Sequence, residues 1–254
     1  MNKPVIAFFP EASFGSALNC VGIAQELQRR GAVPVFLCHQ GFTGVFDEYG
    51  FKEYQLPPAP KADTHRSEES WQAFVTAHLD HFNQDPTAQL ETYVGPTWDA
   101  IVDTAIQAER GLERLLKRIK PDAIVLDNVI MFPAIANAGV PWIRVVSCAE
   151  TEIPDPNVPP YLSGLAADDP HRPAFEKAYV EITAPIHARY NSFRAKRGLD
   201  PLPAGQFLET SPWLNLLLAP EYVRRDRTEK LPEELFVFLE GCVREEAQFD
   251  PPPL

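Results

Sequence analysis

Basic residues are scarce in this chain: 23 Lys and Arg stand against 35 Asp and Glu, a formal net charge of -12. A phosphate polymer is held through a basic footprint, so nucleic acid is not the expected partner. Long apolar runs are missing as well. None approaches the roughly 18 residues needed to span a bilayer, and no stable membrane insertion is expected. The start, Met1-Asn2-Lys3-Pro4, runs straight into an apolar stretch with no signal-peptide cleavage site, so the expected location is cytoplasmic. Cysteine is sparse: Cys20, Cys38, Cys148 and Cys242 form no CxxC pair and have no histidine at zinc-finger spacing. They read as small buried apolar residues, with neither a metal site nor a disulfide expected. GxGxxG, the Walker lysine, HExxH and GxSxG are also absent. Their absence disfavours a nicotinamide oxidoreductase, a P-loop nucleotidase, a zinc hydrolase and an elbow-type serine hydrolase.

What remains is an ordinary globular composition, 45% apolar and 23% charged, in 254 residues. That length fits one large α/β domain or two small ones. Proline is the outlier at 26 residues, concentrated in 57–60, 154–160, 201–212 and 251–253. Ordered loops are expected at the first three and a linker at the last.

Residues 5–9 are continuously apolar, as in a strand buried on both faces. A loop bearing Gly15 follows, then a helix with Ala17, Val21, Ile23, Ala24 and Leu27 on its apolar side, closing on Arg29-Arg30-Gly31. With a second strand at 33–37 this makes a βαβ unit. A short helix is expected at 41–50 and a third strand at 51–56. The stretch 57–96 departs from this pattern, with helical pieces at 68–82 and 86–93. A long amphipathic helix covers 97–119, and a strand at 123–127 ends on a carboxylate. A short helix at 131–138, a strand at 142–146, a Pro-rich loop, a helix at 174–197 and strands at 214–218 and 235–239 complete the pattern. The expected fold is α/β: an open Rossmann-like parallel sheet flanked by helices over 1–239, with the excursion 57–96 and a tail at 240–254.

Ligands of such sheets bind beyond the carboxyl ends of the strands. Two polar segments fall there, the 11–16 loop and Asp127-Asn128-Val129. Gly15 permits a tight turn, and the helix that follows offers free amides to an anion. Ser16 reads as the N-cap of that helix or as a site residue, and Glu11 as a solvated carboxylate or a cleft residue. Asp127 either caps the next short helix or projects into the cleft, where apolar walls would raise its pKa. His78 and His81, flanking Asp80, sit at helical spacing on a solvated face. If the excursion folds over the site they become a substitute base, with Trp71, Phe74, Phe82 and Trp98 as an apolar wall. His39 reads as a polar strand end.

The order VIAFFPEASFGSALNCVGIAQELQRRGAVPVFL, then KPDAIVLDNVIMFPAIANAGVPWIRV, then LNLLLAPEYVRRD…LPEELFVFLEGCV…PPPL resembles the family 1 glycosyltransferases of GT-B fold, which include bacterial antibiotic and macrolide glycosyltransferases. The resemblance spans 5–254 and is thinnest at 57–96 and 147–212. It implies the acceptor-binding half of an inverting glycosyltransferase, with 240–254 as an interdomain linker and the donor-binding domain outside the chain. A nucleotide sugar is then a co-substrate held mainly by that other half, in cis or in trans, with no cofactor and no metal. The family's helix-start histidine, the base for the acceptor hydroxyl, aligns with Ser16, which has no basicity near neutral pH. The family's partner carboxylate aligns with Asp127. Either Asp127, Glu11 or another histidine supplies the base, or the acceptor is acidic enough to need little help.

On this resemblance Asp127 and Ser16 line the reaction centre. Glu11, Ser13, Phe14 and Gly15 form one rim of the pocket; Asn128, Met131 and Phe132 form the other. The implied acceptor is a small, hydroxylated, largely apolar molecule, and the chain alone is expected to be inactive. Apolar groups near Phe14, Met131, Phe132 and 214–223 are expected to lie open, favouring self-association or a partner at that edge. The competing expectation is a non-catalytic binding or activator protein that keeps the half-fold, favoured by Ser16 in the place of the base.

Overall fold

The computed structural model describes residues 3–57, 76–223, 225–240 and 243–246. Trp71, Phe74, most of the expected helix at 68–82 and the end of the Pro-rich tail lie outside the described residues. Seven strands carry the fold: β1 (Val5–Pro10), β2 (Val33–Cys38), β3 (Lys52–Gln55), β4 (Ala123–Asp127), β5 (Trp142–Val146), β6 (Leu214–Leu217) and β7 (Phe236–Phe238). They pair in parallel in the order β3-β2-β1-β4-β5-β6-β7. The expected open Rossmann-like sheet is what forms. Its chain order reverses between β1 and β4, where Pro10 and Asp127 lie side by side. That is the switch point at which such sheets bind ligands.

The helices are α1 (Phe14–Arg29), α2 (76–82), α3 (Pro86–Gln89), α4 (Gly95–Ile119), α5 (Pro133–Ala136) and α6 (Arg172–Lys196). A wide turn at Leu90–Val94 joins α3 to α4. Strand residues alternate between two cores. Phe8, Phe36, Val125 and Val145 pack with Ala17, Cys20, Val21 and Ala24 of α1. Ala7, Phe9, Leu37, Ile124 and Leu126 pack with Val102, Leu112, Ile135 and Tyr190 from α4, α5 and α6. Both faces of the central strands are covered, which explains their unbroken apolar runs.

Several boundaries differ from expectation for identifiable reasons. The cap of α1 is Ser13, extended at φ -135 and ψ 146, whose side chain accepts from Ser16 N; Ser16 itself lies in the first helical turn. The expected helix at 41–50 is two short 3-10 turns, Gln40–Phe42 and Asp47–Tyr49. Gly44 and Gly50 take positive φ there, and the Glu53 carboxylate receives the amides of Gly44 and Phe46 at 2.9 and 2.8 Å. The expected helix at 131–138 shrinks to α5, entered by Pro133 and followed by Gly139 at φ 75. Residues 243–246 run back over α1. Gln25 and the Glu245 main chain exchange hydrogen bonds of 3.1 and 2.8 Å, and Arg29 pairs with Glu245 at 2.6 Å.

Candidate functional site

The carboxyl ends of β1 and β4 are tied together by the loop that leaves β1. Glu11 N donates to Asp127 O at 2.6 Å, and Ser13 N donates to Glu11 O at 2.7 Å. Ser16 Oγ donates to Asp127 O at 2.9 Å and accepts from Glu11 N at 3.1 Å. The loop is thus folded onto the backbone of Asp127, and the Ser16 hydroxyl is consumed in holding it. Gly15 needs no unusual backbone angle, contrary to expectation, and a Cβ placed on it would meet nothing within 4 Å.

Strand alternation puts Asp127 on the same face as Val125, toward α1. It is only 3% exposed. Its Oδ1 accepts from Ser147 Oγ at 2.7 Å, whereas its Oδ2 is buried without a hydrogen-bond partner. The helix-cap alternative for Asp127 falls away, because Phe132 occupies the cap position of α5. Burial pushes the Asp127 carboxyl up to about 7, further raised by Glu11 and Glu152 and opposed by the Ser147 and Ser16 hydroxyls. Burial also raises Glu11, with Glu152 adding to it. Two carboxyls at the carboxyl edge of the sheet therefore hold protons more tightly than free carboxylates do.

The loop after β5 supplies groups that sequence reasoning missed: Ser147, Cys148, Glu152 and Tyr161. It is Pro-rich and aperiodic, so no hydrophobic pattern marks it. The available signal was Arg144, a charge inside the apolar strand β5 that demands a buried partner. That partner is Glu152, at 2.7 Å, with both side chains nearly inaccessible. Arg144 also donates to Glu209 O at 2.7 Å. Glu150 is gripped in turn by Arg227 at 2.7 Å and by Arg225 N at 3.1 Å. A cavity of about 180 Å³ opens between this loop, the N-terminal half of α6 and residues 204–208. Val158, Tyr161, Phe175, Tyr179 and Phe207 make its walls mostly apolar, with Glu152 also on the lining.

The remaining expected site residues scatter. Asn128 Oδ1 turns back onto Ile130 N at 3.2 Å and is buried. Met131 and Phe132 are 2% and 1% exposed, which corrects the expectation that they lie open at a rim. Met131 O accepts from the Tyr190 hydroxyl at 2.7 Å, and Phe132 packs edge-on against Phe9 at 4.9 Å, so α6 and β1 hold both in the core. Trp98 is likewise a core residue, stacked on Phe207 at 4.2 Å. Phe14 does reach the surface, its ring 5.3 Å from that of Phe42. Tyr222, in the 214–223 segment, is also exposed, while Asn215 and Leu217 are buried. His78 packs against Tyr93 at 5.1 Å, and the Glu11 charge reaches the Tyr93 hydroxyl, so α2 lies alongside the site. His39 follows β2 with its ring 5.6 Å from that of Phe9, and burial lowers its pKa. Among the described residues no group of His, Cys, Asp and Glu could hold a metal ion, and no helix is long and apolar enough to cross a membrane.

No family model matches the chain, and no curated protein sequence does either. Solved structures do match. The glycosyltransferase of kitacinnamycin superposes with a TM-score of 0.63 at 17% identity, over 99% of this chain and 55% of that one. The calicheamicin glycosyltransferase gives 0.55 at 17% identity, over 100% and 56%. The spinosyn forosaminyltransferase gives 0.50 at 13%, over 100% and 53%. The chain therefore spans about half the length of these solved transferases. At such identities the likeness is one of fold: the chain has the fold of one Rossmann-like half of these GT-B glycosyltransferases.

Proposed function

We propose that the chain supplies the acceptor-binding half of an inverting nucleotide-sugar glycosyltransferase, with Asp127 as the proton acceptor. Asp127 carries this reading: a buried carboxyl at the switch point, one oxygen unpartnered, with a pKa of about 7. A general base works best when its pKa lies near the operating pH. An aspartate at its usual value is too weak a base for a hydroxyl, and burial removes that deficit.

In the proposed step the acceptor oxygen attacks the anomeric carbon, and the nucleoside diphosphate leaves from the opposite face with the electron pair of the broken C–O bond. The hydroxyl proton passes to Asp127 Oδ2. Ser16 fixes the 11–16 loop against Asp127 and takes no proton. The acceptor is a small, hydroxylated, largely apolar molecule. The nucleotide sugar is bound mainly by a donor-binding half, in cis or in trans, because donor carbon and acceptor oxygen must be aligned for useful rates. A cytoplasmic setting belongs to the same proposal.

The test joins this chain to a donor-binding half and measures sugar transfer to hydroxylated apolar acceptors. Asp127→Asn should lower kcat by about 10²–10⁴-fold with little change in KM. Full activity of that variant would remove Asp127 from the chemistry. One observation favours a second reading, a binding or activator protein: the Ser16 hydroxyl is wholly engaged in the scaffold. In that case the chain binds its ligand, and no pairing with a donor-binding half produces transfer.

A further inference from the structure

We propose that the cavity between the loop after β5, α6 and residues 204–208 binds a small neutral molecule built on one aromatic ring, with a hydroxyl group held by Tyr161. This site stands without the transferase reading above, since neither Asp127 nor any residue of the 11–16 loop is on its lining.

The cavity measures about 180 Å³. An apolar cavity of roughly 150 Å³ takes up one benzene molecule, so there is room for one six-membered ring with a short substituent. Its walls favour a flat ring. Phe175 and Tyr179 of α6 lie 6.5 Å apart and 20° from parallel, and Phe207 adds a third aromatic surface. Phe207 is held in place by Trp98, stacked on it at 4.2 Å, and by the His187 ring at right angles, 5.4 Å away. Gly205, at φ 71, lets the 204–208 segment lie close on α6: a Cβ there would come 3.0 Å from Val180 Cγ2. The aromatic walls are therefore set before a ligand arrives, and stacked or edge-on ring pairs gain energy beyond the area they bury.

Every charged side chain on the lining already has its partners. Glu152 pairs with Arg144 at 2.7 Å, and Arg172 pairs with Glu176 at 2.8 Å and donates to Pro156 O at 2.6 Å. The Asp155 carboxylate receives the amides of Asn157, Thr228 and Glu229 at 2.8, 3.0 and 3.3 Å. No charge is spare for an ionic ligand, and an unpaired ion between apolar walls is costly. Tyr161 differs. Its hydroxyl meets no hydrogen-bond partner among the described residues, and burial, reinforced by the Glu152 charge, keeps it protonated. A neutral phenol can donate to a ligand hydroxyl or accept from it.

The full chain can be titrated by methyl-selective NMR at pH 7 with benzyl alcohol, toluene, cyclohexylmethanol, benzylammonium and benzoate. Benzyl alcohol should shift the methyl signals of Val158, Val180 and Leu208, which line the cavity. It should bind about tenfold or more tightly than either ion, and about threefold more tightly than cyclohexylmethanol. Tyr161→Phe should weaken benzyl alcohol about fivefold and leave toluene unchanged, the pattern of a lost hydrogen bond in an intact cavity. The proposal is overturned if benzyl alcohol does not bind or bypasses those three methyls. It is overturned equally if an ion or cyclohexylmethanol binds as well, or if Tyr161→Phe affects benzyl alcohol and toluene alike. No turnover enters these readouts, so failure of sugar transfer would strike the transferase reading alone, and failure of ring binding would strike only this one.

Discussion

Ser147 donates its hydroxyl to Oδ1 of Asp127 at 2.7 Å, while Oδ2 of the same carboxyl meets no donor. One oxygen is anchored and the other is left for a proton or a ligand. Ser147 is a donor that favours the ionised form. Ser147→Ala should therefore raise the Asp127 pKa by up to about one unit. Carbon-13 NMR of the Asp127 carboxyl would show it, and the acidic limb of a pH–rate profile would move to higher pH with it. An unchanged or lower pKa would mean that Ser147 does not support the carboxylate.

Burial of Asp127 also has a consequence for stability, whose sign is opposite to that of a salt-bridged aspartate. The folded state holds the proton up to about pH 7, whereas the unfolded chain releases it near pH 4. Between these values the unfolded state binds fewer protons, so stability falls as pH rises. Asp127→Asn keeps the shape and the Ser147 contact but has no charge to bury. Its stability relative to the unsubstituted protein should grow from pH 4 to pH 7 by a few kcal/mol at most. Urea titrations at pH 5 and pH 8 would measure it, and a difference independent of pH would show that Asp127 ionises freely.

Arg144 and Glu152 clamp the loop that delivers Ser147, and both are out of water. Removing one partner strands the other charge. Arg144→Leu or Glu152→Leu alone should each cost about 3–5 kcal/mol. The double replacement should cost less than either, because no orphan charge is left. Denaturation midpoints of the three variants form the cycle. Additive losses would mean that the two side chains do not act as a pair.

The strands around the site were legible because their physics is local. β4 falls where its apolar run between turn signals puts it, and β5 does so although Arg144 interrupts its run, since both faces are covered. Positions that depend on distant partners were not legible. Ser16 suits a helix start, but Ser13 takes the cap and the Ser16 hydroxyl, inside the first turn, goes to Asp127 O. Met131 and Phe132 follow a strand end, as pocket residues do, but Tyr190 of α6, far along the chain, seals them into the core. The cavity is assembled from 151–161, α6 and 204–208, three segments that share no local pattern. Arg144 could have been read as a call for a buried acid, though not as pointing to Glu152 over Glu150.

Gly15 offers a last test that separates folding from function. It lies in the first turn of α1 with an ordinary φ, and an added Cβ would meet no atom within 4 Å. Alanine loses less backbone entropy than glycine in a helix, an advantage of about 0.5–1 kcal/mol in the interior and less at an end. Gly15→Ala should therefore leave the melting temperature unchanged or slightly raised. The open space beside it borders the loop that carries Glu11 and Ser16, where the proposed reaction brings acceptor and sugar together. A methyl group there occupies room meant for substrate, so kcat/KM should fall about tenfold or more even though the fold is no weaker. A variant that is at least as stable and transfers sugar at the original rate would show that the space beside Gly15 is surface, and would move the reacting groups away from the start of α1.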